Sequence, residues 1–271
     1  MPSLIKHASE STHWYQKDGT PQHDADLRVA RKELLYPSVT SIDKSTFPNP
    51  RLEKWKVEQA IIAGIDNPRQ PHETAEQYAQ RVYELSLVKS VTASDFGTKV
   101  HKCIENYPAL PEEEELKPYF SAFSEWYSRS GLVSTATELT VVDPNIGVAG
   151  RLDFTGNDSV ANRPCLVDWK SQGVKVQPNG KKKPAYYDSW VRQLAFYAVA
   201  LSKQKNVFPD LPACASVVID STEPHEPYLK WWTDEEIRSA YSDFICGTWL
   251  WMHSRSYFPV GQWKIQDHIL L

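Results

Sequence analysis

The apolar positions along this chain change period several times, and the changes predict a set of helices followed by strands that alternate with further helices. Asn49-Pro50 opens a helix that the pattern carries to about Ala63, with proline at the first helical position and Leu52, Trp55, Gln59 and Ile62 on neighbouring faces. His72-Glu73-Thr74 starts a second, to about Ser90, with Tyr78, Val82, Leu85 and Val88 as its core stripe. These two read as packing and cover. Ser94 is the N-cap of a third helix that ends near Tyr107, before Pro108. Pro111 and four glutamates begin a fourth, which stops at Arg129-Ser130 before Gly131; the acid run suits a solvated first turn away from any nucleic acid. Beyond Gly131 the period falls to two. Residues 133–142 alternate, and residues 146–156 and 164–171 are apolar runs around the polar break Gly156-Asn157-Asp158, a hairpin signal.

Residues 172–185 are a loop rich in Lys, Gly and Pro. A long helix follows from about Tyr187 to Lys203, with Trp190, Leu194, Tyr197 and Leu201 in one stripe. Residues 213–220 and 228–232 predict two more strands, and Thr233-Asp234-Glu235-Glu236 is a capping box opening a last helix to about His253. Ahead of all these, Asp18-Gly19 behind His13-Trp14-Tyr15 marks a short hairpin, and Tyr36-Pro37-Ser38-Val39-Thr40-Ser41-Ile42 leads into a strand or helix. The order helix, three strands, helix, two strands, helix predicts a mixed α/β sandwich with a central sheet. The expected division is an N-terminal extension and helical cover over 1–92, a core over 93–256 and an irregular tail over 257–271.

Composition narrows the picture. A net charge of −4 excludes a generally basic nucleic-acid coat, so any such contact is a local groove. Ten Trp and thirteen Tyr suit stacking surfaces as well as cores. Cys103, Cys165, Cys214 and Cys246 have no metal-finger spacing and read as reduced, mostly buried thiols of a cytosolic protein. No apolar run reaches the length of a membrane span, and the N-terminus lacks the features of a secretory signal or a transit peptide. The expectation is cytoplasmic, in a bacterial host if the chain is phage-encoded.

The candidate chemistry centres on the hairpin. On a strand, Asp168 and Lys170 share one face while Val167 and Trp169 take the other. In-register pairing brings Asp153 beside Asp168, so two carboxylates and a lysine converge, a set suited to a hard divalent ion. Asp168 lies between large apolar residues, where a charge is costly without a partner; a solvated salt bridge on a strand edge is the simpler alternative. His101 and Glu105 share a helix face, Gly97 lies one turn before His101 and allows a close approach, Glu138 lies on the strand before the hairpin, and Gln193 and Tyr197 lie on the helix after it. Ser38, Thr40 and Ser41 offer hydroxyls for phosphate or for capping a helix. Lys175, Lys181, Lys182 and Lys183, then Tyr186, Tyr187 and Trp190, interleave cations with rings as a single strand of nucleic acid requires, or form a solvated loop before a helix.

In order, the motifs are Gly97-Thr98-Lys99-Val100-His101, Gly150-Arg151-Leu152-Asp153, Asp168-Trp169-Lys170-Ser171 and Gln193-Leu194-Ala195-Phe196-Tyr197. Their order and spacing resemble the PD-(D/E)XK nuclease superfamily, and more narrowly its RecB-type branch. Tyr36-Pro37-Ser38-Val39-Thr40 followed by Leu52-Glu53-Lys54-Trp55-Lys56 is similar to the mitochondrial genome maintenance exonuclease and to phage and bacterial exonucleases of that kind. The resemblance implies a restriction-endonuclease-like α/β core with a central mixed sheet flanked by helices and an N-terminal helical extension. It implies a magnesium- or manganese-dependent DNA exonuclease acting on single-stranded ends or flaps, in phage or bacterial recombination, repair or degradation. A structure-specific endonuclease of the same fold, a double-strand-end exonuclease and a non-catalytic binding module are the alternatives.

By the same resemblance, His101, Asp153, Asp168 and the main-chain carbonyl of Trp169 hold the metal, with Glu138 beside them. A histidine among hard oxygen ligands shifts preference towards manganese. Lys170 positions or activates the attacking water, and Gln193 and Tyr197 orient Lys170 or contact DNA. Further DNA contacts are expected from Ser38, Thr40, Lys99, Arg151, Ser171, Lys175, Lys181, Lys182, Lys183, Tyr187, Trp190 and Arg192. Some RecB-type relatives carry a four-cysteine iron–sulfur clamp; the cysteine positions here do not supply one, so no iron–sulfur cluster is expected. The expected partner is DNA, alongside a single-stranded-DNA-binding or recombination protein, and no membrane.

Overall fold

The computed structural model describes residues 13–205 and 210–268, apart from the side chains of residues 88–94. The N-terminal reading above, Val88 and the Ser94 hydroxyl lie outside that description. The described residues open with β1 (Trp14–Tyr15) and β2 (Pro21–Gln22), the short hairpin expected from Asp18-Gly19, and β1 also pairs with β3 (Tyr36–Pro37) across α1 (Leu27–Glu33). Ser38 caps α2 (Val39–Thr46) by accepting from the Ser41 N–H, so the capping role of that hydroxyl is the one realised. α3 (Pro50–Asp66) starts at Asn49 as the sequence indicates.

The next element differs from expectation. One 31-residue helix, α4 (Ala75–Glu105), replaces the two helices expected on either side of Ser94. Nothing between Glu76 and Asp95 is a glycine or proline, so no residue type there stops propagation, and Ser94 lies inside the helix. Thr74 and Gln77 form a capping box at its start. The glutamate run also behaves differently. Its last two members, Glu114 and Glu115, form a 3₁₀ turn with Leu116 (Glu114–Leu116), and α5 (Lys117–Ser130) carries Pro118 in its first turn, where a missing N–H costs nothing. Gly131 closes α5 in the left-handed region, φ +76°.

Three strands follow: β4 (Leu132–Asp143), β5 (Val148–Asp158) and β6 (Arg163–Gln172). The loop after them contains a small antiparallel ribbon, β7 (Lys175–Val176) with β8 (Lys182–Lys183). Then come α6 (Asp188–Gln204), β9 (Ala213–Asp220), β10 (Tyr228–Trp232) and α7 (Asp234–Arg255), the last opened by the expected capping box. The central sheet has the order β10-β9-β6-β5-β4. β6 and β9 are parallel, as the intervening helix requires, and the other pairs are antiparallel. Among the described residues, no helix is long and apolar enough to cross a membrane.

Helices cover both faces of the sheet. Leu152, Leu166 and Cys214 face α6, α7 and α2; Phe154, Cys165, Val167, Trp169, Ala215 and Val217 face α4 and α5. α6 is buried from Val191 to Ser202 on almost every side, as expected of a helix apolar all round. Trp14, Leu35, Val39 and Ile42 belong to the α6–α7 core, and the Tyr257 hydroxyl lies 2.5 Å from the Leu35 carbonyl oxygen and 2.9 Å from that of Ala30. The stretch from Trp14 to Ile42 therefore contributes to the core, and the boundary expected at residue 92 falls inside α4. Among the described residues, α3 lies outside the core and packs on the first half of α4, where the Tyr78 hydroxyl donates to the Gly64 carbonyl; of its apolar residues only Ala63 is buried, and Leu52, Trp55, Val57, Ile61, Ile62 and Ile65 are exposed. Leu52, Trp55 and Ile62, expected to pack, are thus exposed, and of the core stripe expected on the next helix Tyr78 and Val82 are half-buried and Leu85 is exposed.

Arg192, expected to touch DNA, is buried instead. Its Nε donates to Asp43 Oδ1 at 2.5 Å and its guanidinium lies over the Phe47 ring, tying α6 to α2. Removing one member of a buried ion pair strands the other, at a cost of about 3–5 kcal/mol. Arg192→Met should lower the urea midpoint accordingly while leaving the oligonucleotide affinity of the folded protein unchanged, as measured by denaturation and fluorescence anisotropy side by side.

Candidate functional site

The site lies where β5 stops pairing with β6. The ladder runs from Asp158↔Arg163 to Phe154↔Val167 and ends there; the next opposing pair is Asp153 and Asp168. Its place is taken by a side chain: Asp153 Oδ2 accepts from Trp169 N–H at 2.8 Å. The register is the one the hydrophobic pattern implied, and the backbone opens at the two acids. β5 is also irregular here. Leu152 packs against the α6 side and Phe154 against the α4 side, although residues two apart share a face on a regular strand. Across from Asp153, between the pairs Thr137↔Phe154 and Leu139↔Leu152, Glu138 adopts φ +54°, a left-handed conformation uncommon for a residue with a side chain.

Asp168 is 1% exposed, with Val167 and Trp169 buried in the opposite layer. Lys170 Nζ lies 2.8 Å from Oδ1 and 2.7 Å from Oδ2 of Asp168, but only the first contact is aligned as a hydrogen bond, leaving Oδ2 buried without one. Lys170 also donates to Gln193 Oε1 at 3.2 Å. Gln193 Nε2 donates to the Tyr197 hydroxyl at 3.3 Å, and that hydroxyl donates to the Arg151 carbonyl at 2.7 Å. Thus α6 links the lysine on β6 back to the strand that carries Asp153. A Cβ on Gly150 would sit 2.7 Å from the Tyr197 hydroxyl, which is why this position takes glycine.

His101 comes to the site from α4. The Ser171 hydroxyl donates to the Gly97 carbonyl at 3.0 Å, and a Cβ on Gly97 would lie 2.8 Å from that same oxygen. The close approach read from Gly97 is therefore made by the Ser171 side chain, which is engaged in packing α4 onto β6. His101 Nε2 is 2.9 Å from Glu105 Oε1 and 4.0 Å from Asp153 Oδ2. Glu138 pairs with Arg151, and one of its carboxylate oxygens is buried without a hydrogen bond.

The electrostatics follow from burial. Desolvation, and then the charge of Asp153, push Asp168 up to about 7 against the pull of Lys170. Burial also raises Asp153, opposed by Lys170 and His101. For His101, burial is the largest influence and lowers it, but the Glu105 hydrogen bond and the Asp153 and Glu105 charges outweigh it and leave it raised. Burial and the neighbouring Glu105 raise Glu138.

As the side chains stand, no three His, Cys, Asp or Glu residues among those described are grouped to hold a metal ion. The donor chemistry nonetheless fits one. Two adjacent carboxylates are driven towards protonation by burial, and one has an oxygen lacking a hydrogen bond, a deficit that a hard divalent cation relieves. Asp153, Asp168 and the Trp169 carbonyl could supply oxygens, and His101 could supply Nε2 only by releasing Glu105.

Beside these residues lies an open groove of about 1050 Å³. Lys170, Lys175, Lys183, Tyr187 and Trp190 line it. Lys181 is exposed at the ribbon. Lys182 is not available in the same way: its Nζ lies 2.7 Å from buried Asp220 and 2.6 Å from Glu223, pinning the ribbon to the end of β9. Lys99 pairs with Glu115 at 2.9 Å, so the glutamate run does reach the helix that carries His101. Thr40 lies 3.2 Å from the Ser38 hydroxyl at the start of α2. The sequence reading missed Arg51 and Trp55, which line the groove from α3. Trp55 reads as packing in the sequence, and its exposure to the groove follows only from the fold.

The folded state holds the Asp168 proton to a higher pH than the unfolded chain, where an aspartate titrates at roughly pH 4. Between that value and about 7 the folded protein binds the extra proton, so stability falls as pH rises through the window. His101, raised, acts with the same sign at higher pH, while His13 and His268, lowered by burial, act oppositely. The clean readout in metal-free buffer is the difference in urea midpoint between wild type and Asp168→Asn. It should move against the wild type from about pH 5 to about pH 8; a flat difference would mean that Asp168 is ionised throughout.

Comparison with protein-family models gives no match and a search of the curated proteins gives none either, so the chemistry of the site rests on its own residues.

Proposed function

We propose that this chain is a metal-dependent deoxyribonuclease with a PD-(D/E)XK core that hydrolyses phosphodiester bonds from single-stranded DNA ends. The observation that carries the reading is the buried Asp168 carboxylate, held by Lys170 on the same strand face and joined by Asp153 through the Trp169 N–H. Buried ion pairs are often no more stable than well-packed hydrophobic pairs of the same volume, so an acid buried beside a second acid points to a ligand. The five-stranded mixed sheet with helices on both faces is compatible with that core.

Asp153, Asp168, the Trp169 carbonyl and His101 would hold magnesium or manganese. Such an ion, when bound, polarises the phosphate and lowers the pKa of a coordinated water. The remaining steps fall to the protein. Lys170, oriented by Asp168 and by Gln193, holds a phosphate oxygen or the attacking water in place. Tyr197 fixes Gln193 and, through the Arg151 carbonyl, the strand bearing Asp153. Arg151, exposed and steadied by Glu138, offers a cation to the backbone next to the acids. Glu105, which occupies His101 Nε2, has to release that nitrogen for the ring to reach the ion.

End-labelled linear single-stranded DNA should lose nucleotides in magnesium or manganese and remain intact in EDTA. Lys170→Ala and Asp168→Ala should each slow release by about 10²–10³-fold or more; full activity in both variants would remove the nuclease reading. A covalently closed single-stranded circle should resist, and its cleavage would replace exonuclease with endonuclease.

A further inference from the structure

The groove beside Lys170 has two walls. One is the ribbon and the start of α6, with Lys175, Lys183, Tyr187 and Trp190; the other is the first turns of α3, with Arg51, Leu52 and Trp55. In a chain of net charge −4, this groove is lined by four cationic side chains and, among the described residues, by no Asp or Glu. Exposure of Trp55 alone would mean little, because α3 also exposes Val57, Ile61 and Ile65. Those three do not line the groove, whereas Trp55 and Arg51 do, at the end of α3 nearest the site.

We propose that Arg51 and Trp55 form a nucleotide subsite for single-stranded DNA, Trp55 stacking on a base and Arg51 holding a backbone phosphate, on the strand that passes Lys170. The inference rests on the nuclease reading for the identity of the ligand and adds a binding wall from a helix outside the core. An unpaired strand can turn a base face towards an indole, whereas within a duplex those faces are occupied by neighbouring bases. Trp190 is less free for this task. Its ring lies 6.0 Å from Lys170 Nζ and packs edge-on with Tyr186 and Tyr187, so it supports the lysine and the opposite wall. α3 therefore supplies selectivity for unpaired DNA.

The test is anisotropy of fluorescein-labelled oligothymidylate in EDTA, where binding is read without cleavage. One base stack corresponds to about 1–3 kcal/mol, so Trp55→Ala should weaken binding by about 5- to 150-fold and Trp55→Phe should recover most of it. Arg51→Gln should weaken binding and reduce the slope of log affinity against log salt by about 0.7. Ile65→Ser, at the far end of the same helix, should bind as wild type. Equal binding by wild type and Trp55→Ala overturns the subsite, as does absence of oligonucleotide binding by wild type. If wild type cleaves and Lys170→Ala does not while Trp55→Ala binds normally, the subsite falls and the nuclease stands. If Trp55→Ala loses binding but wild type never cleaves, the subsite stands and the nuclease falls.

Discussion

The Asp168 carboxylate, 1% exposed on a central strand, is the constraint around which the site is arranged. A charge there is tolerated only with a partner, and its own strand provides one that a second element holds in place. Lys170, two residues on and on the same face, reaches the acid directly. α6 then holds Lys170 through Gln193, and Tyr197 ties the same helix to β5. The near-complete burial of α6 has a consequence for chemistry: a helix packed on nearly every side keeps its polar residues in one geometry, and Gln193 and Tyr197 project from such a helix.

Backbone irregularity does the complementary work. Were β5 and β6 paired one step further, Asp153 would lie directly opposite Asp168 with its backbone satisfied by the ladder. The ladder opens instead, Trp169 N–H is given to the Asp153 side chain, and Glu138 across the sheet takes a left-handed conformation. Interrupted pairing of this kind is where sheets redirect side chains, and it turns two strand acids into neighbours able to share one ligand. The two layers contribute unequally: the α6 side secures the lysine, and the α4 side delivers His101 through the Gly97–Ser171 contact.

The basic ribbon and α3 border the groove without belonging to either core layer. The ribbon is anchored by Lys182 on Asp220, a buried acid that also accepts from Val174 N–H and Thr222. One lysine of the run thus sets the position of the others, leaving Lys175 and Lys183 to face the groove.

Much of this was legible in the order of residues. Element order, the capping box at Thr233, the cap at Asn49, the C′ glycine at 131 and the opposite faces of Asp168 and Trp169 all depend on residues within a few positions of one another. The convergence of Asp153, Asp168 and Lys170 was legible too, because hairpin register follows from local alternation. Other assignments needed the folded chain. Helix α4 continues through Ser94 because an N-cap residue type marks a start only where the preceding residues leave the helix. Arg192 meets Asp43, 149 residues away, and Lys182 meets Asp220, 38 away, so cations that looked alike in sequence divide into buried ties and groove-lining charges. Trp55 lines the groove because α3 packs on α4 through its far end, around Ala63 and Gly64, and leaves its first turns uncovered. Local periodicity states which face of an element is apolar; only tertiary packing decides whether anything covers that face, and which distant partner a charged side chain meets.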